Sequence, residues 1–421
     1  MHSKCFTVVC AESGKPSSIS NSTVVEEVSS DHGLDRSQNS LVISDPDSDR
    51  TSLGRYIGKK SFRHTSSSIV LLLTGTLHGL LGMGAVQAEE GVFGNLRISA
   101  IDAEDDFGNK TKGSAFGGKL GYISPTWNGL SGGATFYATS EILDDENGDF
   151  FSSENGSYAI LGEAYVQADF GNTMMKLGRF ELDTPHADTD DIRMVPNTFQ
   201  GFLVSNNDIV DTTLYLTHLD KWAGVDADIP ERFQEMNSDD GITVAGAVYE
   251  GVENLALQSW YYHGSAFAKL VYLEAVYETE SYSGGVQFSS QSDDSSDESG
   301  PDGEAWGVTA SYTLANITLS AAYNGVSGTV INGFGGGPYF TSADDHTIDG
   351  VEDQKATAIG VEYGGIDAFT LGALHVDFEE GANETDYYAL YDVNEELALE
   401  LIYTDMHEDG EFVRLMANYG F

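Results

Sequence analysis

The chain has 421 residues, with 67 acidic and 20 basic side chains and a formal net charge of -47. That balance excludes a nucleic-acid binder held by phosphate contacts, which needs clustered Lys and Arg, and an intracellular membrane-surface module, which carries a basic patch. Glycine is plentiful (48), proline scarce (8), and Tyr and Phe stand at 21 each, a mixture that suits strands better than a helical bundle or a disordered chain.

Residues 1–88 read as an N-terminal extension ending in an export signal. Arg55, Lys59, Lys60 and Arg63 form its basic segment, and an uncharged, largely apolar region follows over 69–83. Val86-Gln87-Ala88 then supplies the small residues of a cleavage site. Interruptions at Thr74, Gly75, His78 and Gly79 argue against a membrane helix. Both cysteines, Cys5 and Cys10, fall in this extension, so cleavage leaves a chain of residues 89–421 with no disulfide and no Cys-based metal site. Eight basic and eight acidic residues precede Glu89; the acidic excess lies wholly beyond it.

From Phe93 onward, segments of roughly ten residues alternate apolar and polar between turns rich in Gly, Asn, Asp and Ser. Val413, Leu415, Ala417, Tyr419 and Phe421 form one face of the last segment, and Arg414, Met416, Asn418 and Gly420 the other. Period two is incompatible with a helix face and predicts strands. Their centres fall near Ile98, Leu120, Phe136, Tyr165, Leu177, Phe202, Leu214, Ala247 and Leu257 in the first half. Those of the second half fall near Tyr272, Val286, Val308, Leu319, Ile359, Leu371, Leu390, Leu399 and Leu415. The alternation is least regular over Phe199–Val204 and Phe369–Asp377.

Connections sort by parity. Phe170-Gly171-Asn172, Leu314-Ala315-Asn316 and Gly364-Gly365-Ile366-Asp367 are tight turns. The alternate connections, such as Leu143 to Ser157, Leu219 to Asp240, Gln291 to Glu304 and Gly325 to Asp353, are longer and mostly acidic. Short turns at one end and long loops at the other predict an all-β fold: a transmembrane antiparallel β-barrel of eighteen strands, with sixteen the next even number. Only a closed barrel satisfies every strand amide without water.

One stretch resembles a known family. Leu177-Gly178-Arg179, Thr184-Pro185, Asp191-Ile192-Arg193-Met194 and Pro196-Asn197-Thr198-Phe199-Gln200-Gly201 are similar to the third-loop signature of the OprD-type outer-membrane porins. The resemblance implies a bacterial outer-membrane channel for passive diffusion of small hydrophilic solutes and ions. It also implies a third loop, about Asp183 to Asn197, that folds inward and narrows the pore with help from the seventh, Gly325–Asp353.

Alternation places Arg97, Lys119 and Arg414 on the inward faces of strands that adjoin once the barrel closes, forming a short basic stripe. Asp183, Asp188, Asp190 and Asp191 on the third loop are expected opposite it, flanked by Arg179 and Arg193, and this set is the candidate constriction. A simpler role for Arg193 is to pair with Asp191 or a wall carboxylate and hold the loop. Lys176 and Arg179 have opposite parity, so one of them sits at a bulge or beyond the membrane. The acidic loops predict a weak cation preference that fades as salt rises.

Phe421 is the candidate signal to the barrel-assembly machinery. Expected partners are outer-membrane lipid, lipopolysaccharide and small solutes, as a monomer or homotrimer. No resident cofactor is expected. Weak Ca²⁺ or Mg²⁺ bridging is a use for the acidic runs Asp144, Asp145, Glu146 and Asp293, Asp294, Asp297, Glu298, which lack the spacing of a calcium loop. Gly333-Phe334-Gly335-Gly336-Gly337 lacks the following Lys-Ser/Thr of a phosphate cradle and reads as a flexible external loop. No Ser or Asp motif with a matching His points to an enzyme. The alternatives are a barrel enzyme and a structural or adhesin barrel with no open pore, neither of which gives stepwise current in a planar bilayer.

Overall fold

The computed structural model describes residues 90–421, apart from 145–150, 152–155, 296–299 and 382. The export signal with its cleavage site, both cysteines, and Asp145, Glu146, Asp297 and Glu298 lie outside the described residues.

The first nine strands are β1 (Gly91–Glu104), β2 (Lys110–Ile123), β3 (Leu130–Asp144), β4 (Tyr158–Phe170), β5 (Thr173–Phe180), β6 (Thr198–Asn206), β7 (Thr212–Ala223), β8 (Gln234–Glu235) and β9 (Ile242–Val252). The chain continues with β10 (Leu255–Gly264), β11 (Ala268–Glu278), β12 (Tyr282–Asp293), β13 (Asp302–Leu314) and β14 (Ile317–Thr329). It ends with β15 (Lys355–Ile366), β16 (Phe369–Phe378), β17 (Glu384–Asp392), β18 (Leu397–Asp405) and β19 (Glu411–Gly420). The two-residue β8 is a hairpin arm inside one loop, paired with the end of β7 at Lys221 and Trp222. The other eighteen build one closed antiparallel barrel, because β1 pairs with both β2 and β19. Each strand centre read from the sequence falls inside one of these eighteen, including the irregular β6 and β16.

Apolar residues of each strand point outward, where a soluble protein could not leave them. Ile98, Phe136, Leu177, Val286, Leu319 and Ile359 are each more than half exposed. Such a belt is the surface a hydrocarbon solvent requires. At the short-turn end it is edged by Tyr122, Tyr277, Tyr282, Tyr312, Tyr363 and Tyr419, and at the long-loop end by Tyr261, Trp306, Tyr387 and Tyr403. Amphipathic rings favour such interfaces, apolar on one side and wet on the other.

The seam uses the last residue of the chain. Gly94 N–H donates to the Phe421 carbonyl (3.0 Å) and Phe421 N–H to the Gly94 carbonyl (2.9 Å). The Phe421 ring lies over Gly94 so closely that a Cβ there would meet it at 2.8 Å.

Turns 171–172, 253–254, 315–316 and 367–368 close one end, and the loops 181–197, 224–241 and 330–354 crowd the other. The longest loops are shorter than the alternation suggested, because β7, β14 and their partners keep pairing beyond the apolar belt. Connections 105–109, 265–267, 379–383 and 406–410 at the long-loop end are short, so parity holds for the long loops without making every loop long. Loop 3 (181–197) and loop 7 (330–354) turn into the barrel and bury side chains against its inner wall.

Candidate pore constriction

Loop 3 leaves β5 at Phe180 and enters the lumen because it carries apolar side chains along its length. Phe180, Leu182, Ala187, Ile192, Met194 and Val195 are all buried. Leu182 and Ala187 join an apolar wall made of Tyr215, Trp260, Tyr262, Leu270 and Tyr272 on the inner faces of β7, β10 and β11. Thr184 and Ala187 close a tight turn through reciprocal backbone bonds of 2.9 and 3.2 Å. Pro185 and Pro196, with fixed φ, sit near its two ends.

His186 is the anchor of the loop tip. Its amide donates to the Tyr262 hydroxyl (3.1 Å), and its Nδ1 lies 2.6 Å from the Asn332 carbonyl on loop 7, so Nδ1 carries the proton. Tyr262, Tyr272 and Tyr339 present edges to its ring at centroid distances of 5.3, 5.8 and 6.3 Å. Burial drives its pKa down to about 4, against the contrary pull of the Asn332 carbonyl.

Loop 7 docks on loop 3 through backbone. Ala187 and Phe334 form a parallel bridge, with Phe334 N–H donating to the His186 carbonyl (3.0 Å) and Asp188 N–H to the Phe334 carbonyl (3.0 Å). Gly336 N–H reaches Asp190 at 3.4 Å. Gly335 has φ of 80° and lies so near loop 3 that a Cβ would stand 2.4 Å from the Asp188 carbonyl oxygen. The glycine run 333–337 is therefore a close-fitting contact surface, correcting its reading as a flexible external loop; what demands glycine is the approach of a second backbone.

Three basic side chains on neighbouring strands tie these loops to the wall. Arg97 on β1 grips both carboxylate oxygens of Asp191 and donates to the Arg193 carbonyl at 2.8 Å. Lys119 on β2 reaches Glu181 at 3.1 Å, and the Tyr137 hydroxyl of β3 donates to the same carboxylate at 2.7 Å. Arg414 on β19 holds Asp344 of loop 7 at 3.0 and 3.2 Å, with Glu400 at 3.5 Å. The three side chains point into the lumen on adjoining strands, and the loop carboxylates touch them directly instead of standing across a gap. Register staggers them along the wall, since Lys119 pairs opposite Asn95 and Arg414 opposite Ile101.

The remaining sequence-derived residues divide. Asp188 and Asp190 sit at the junction of loops 3 and 7, where burial first, then neighbouring carboxyls including Asp226, push both well above the usual carboxylate range. Burial alone would raise Asp191, but Arg97 holds it below that range. Asp183 lies at the start of the loop and still touches water. Arg193 is buried within loop 3. Arg179 is not brought to this group: it donates to Gln200 (3.1 Å) and the Leu161 carbonyl (3.2 Å), and its guanidinium lies 4.2 Å from the Phe233 ring centre. Lys176 lies inside against Tyr165, at 4.5 Å, while Arg179 shares the face of outward Leu177, so the parity conflict resolves with Arg179 beneath the 224–241 loop.

Glu181, His186, Tyr137 and Asp344 escaped the sequence reading because none carries a motif. Only Glu181 gave a signal, as the first charge after an aromatic strand end. Among the acidic runs, Asp293 caps the amides of Ser295 and Gly300, and Asp294 takes Lys269. No group of three metal-ligating side chains occurs among the described residues.

The sequence profile of the outer membrane porin, OprD family, matches residues 132–352. Among solved structures, the chain is similar to OccK8 (OprE) of Pseudomonas aeruginosa with a TM-score of 0.69 at 19% identity, covering 79% of this chain and 98% of that one. It is also similar to a BenF-like porin from Pseudomonas fluorescens Pf-5 (TM-score 0.67, 16% identity, 79% and 98% covered). Similarity to OccAB4 of Acinetobacter baumannii has a TM-score of 0.67 at 15% identity, covering 80% and 99%. No curated protein matches.

Proposed function

Because this chain belongs to the OprD family of outer-membrane porins, we propose that its third and seventh loops together form the constriction of its channel. The protein is an outer-membrane β-barrel channel for small solutes. The observation that carries the constriction is the joining of the two loops inside the barrel, by the Ala187–Phe334 bridge, with each loop tied by an arginine to the β19–β1 wall. A loop held at both its tip and its return limb narrows a lumen permanently, whereas an untethered one would only flicker across it.

The barrel is read as a channel and not an enzyme, because the family it belongs to is one of porins. The ring of Phe421 on the seam supports its role as the assembly signal. The test of the constriction is deletion of Ala187–Asp190, which removes the Ala187 bridge and the Asp188 amide bond to Phe334. Single-channel conductance in a planar bilayer should rise, and discrimination between solutes should weaken. Unchanged conductance would mean that loop 3 does not limit the pore.

A further inference from the structure

We propose that His346 is a proton-operated latch on loop 7. With a hydrogen on each ring nitrogen it ties the outer limb of the loop both to β17 and to the 406–410 loop; with one hydrogen fewer it releases the second tie. Its bearing on current rests on the reading of loop 7 as part of the constriction, whereas the latch itself does not.

The inner end of the latch is built from backbone. Ala343 N–H donates to the His346 carbonyl (2.9 Å) and closes a turn. The next three amides all point at carboxylates of β17. Asp344 N–H meets Asp386 at 3.2 Å, while Asp345 N–H and His346 N–H meet the two oxygens of Glu384 at 2.8 and 2.7 Å. The Thr404 hydroxyl of β18 donates to the other oxygen of Asp386 (2.8 Å). The imidazole then spans from the protein interior to solvent. Its Nδ1 lies 2.6 Å from Glu384, whose side chain is fully buried, and its Nε2 lies 3.2 Å from Asp409, whose side chain keeps 59% of its exposure. The Phe378 ring of β16 stands beside it at 6.2 Å.

A neutral ring cannot serve both carboxylates. Carboxylates only accept, so each nitrogen needs a hydrogen to hold its partner, and a neutral imidazole has one. The hydrogen of the 2.6 Å contact belongs to the pair, and the count is the same whether it sits on Nδ1 or on Glu384. When one proton leaves, the remaining hydrogen stays on the inner side, because Glu384 has no water to replace it and Asp409 has. Nε2 then turns a bare lone pair to Asp409, and attraction becomes repulsion. The surrounding charges do not reverse this. Asp344 and Asp345 flank the ring on loop 7, Asp386 neighbours Glu384 on β17, and Arg414 of β19 is held by Asp344 and Glu400. Imidazoles are the side chains whose ordinary charge change falls between about pH 5 and 8. His186, the other imidazole touching loop 7, acts with the opposite sign. Its Nδ1 already serves the Asn332 carbonyl, and a second proton has only the Ser289 hydroxyl at 3.5 Å to meet.

Hydrogen exchange of the assembled full-length barrel in detergent reads the latch, followed by mass spectrometry over residues 343–347 and corrected for the intrinsic rate at each pH. Wild-type protection should fall by about twofold to fivefold between pH 6 and pH 9, the range of one partly exposed ion pair. Asp409→Asn is the discriminating variant, since an amide can accept from a protonated Nε2 and donate to a bare one; its protection should be level across the same range. His346→Gln, which does not titrate, should be level as well, and heat-modifiable migration on a gel reports that each variant barrel has assembled. A level wild-type profile overturns the latch. So does the full wild-type slope in Asp409→Asn, which is what a contact without a proton switch would leave. Single-channel current separates this from the constriction. Closures that become more frequent at pH 9 as protection falls support both; lost protection with unchanged current keeps the latch and removes loop 7 from the constriction.

Discussion

Arg414 and Asp344 are seventy residues apart in sequence, yet two nitrogens of one meet two oxygens of the other at 3.0 and 3.2 Å inside the barrel. Arg414 is 1% exposed, so this pair carries the desolvation of both charges and the position of loop 7 at once.

Breaking the pair from one side should cost more than removing it. Asp344→Asn leaves a buried guanidinium paired, among the described residues, with Glu400 alone at 3.5 Å, a loss of about 3 kcal/mol, whereas Asp344→Leu with Arg414→Met should recover most of it. Unfolding temperatures in detergent compare the two. Equal destabilisation of single and double variants would show that the pair does not act as a unit.

Acid should loosen the tip of loop 3 through His186. Its folded pKa, about 4, lies below the ordinary value near 6.5, so the released loop binds the proton more readily than the docked one. Its anchoring is therefore full above pH 6.5 and is lost as pH falls towards 4. Current noise of the wild-type channel should grow over that window. His186→Asn, which keeps a donor for the Asn332 carbonyl but does not titrate, should stay quiet; equal noise in both would locate the acid response elsewhere.

Filling the seam should stop the barrel from closing. A side chain at Gly94 meets the Lys119 carbonyl at 2.4 Å as well as the Phe421 ring, so Gly94→Val forces backbone or ring aside. The variant should accumulate as the unassembled, heat-insensitive gel species. Full assembly would show that the ring can move at little cost.

Charge on the lipid face should be penalised by depth. Val286 lies mid-strand on β12, facing outward, and Val286→Arg should cost about 2–4 kcal/mol. Denaturant titration of the refolded barrel in lipid vesicles measures it. A neutral outcome would mean that this face is covered by protein.

The wall was legible in the sequence and its furniture was not. Strand centres follow from period two, which each segment states on its own, even where the β6–β7 register shifts beside Gln200 and Asp220 of β7 is the extra residue. The inward direction of Arg97, Lys119 and Arg414 follows from the same alternation. Their partners do not, because Arg97 meets Asp191 across ninety-four residues and no local pattern encodes that distance. Loop residues such as His186 gain their roles only from what the closed wall brings beside them. Arg179 departed from expectation for a local reason: the fold covers it with Phe233 of a different loop.

The pairing order carries a consequence for how the molecule comes into being. Every wall strand bonds to its neighbour in the chain, except where β1 clasps β19. The polypeptide is thus a ribbon of successive hairpins, each closed locally because loop-closure cost grows slowly even for its longer loops, with a single long-range step at the end. Until that step, the two outermost strands present unmet amides and carbonyls, which hydrocarbon does not tolerate. A half-made ribbon therefore has no stable home in a bilayer, and insertion should behave as an all-or-none event whose commitment point is the clasp.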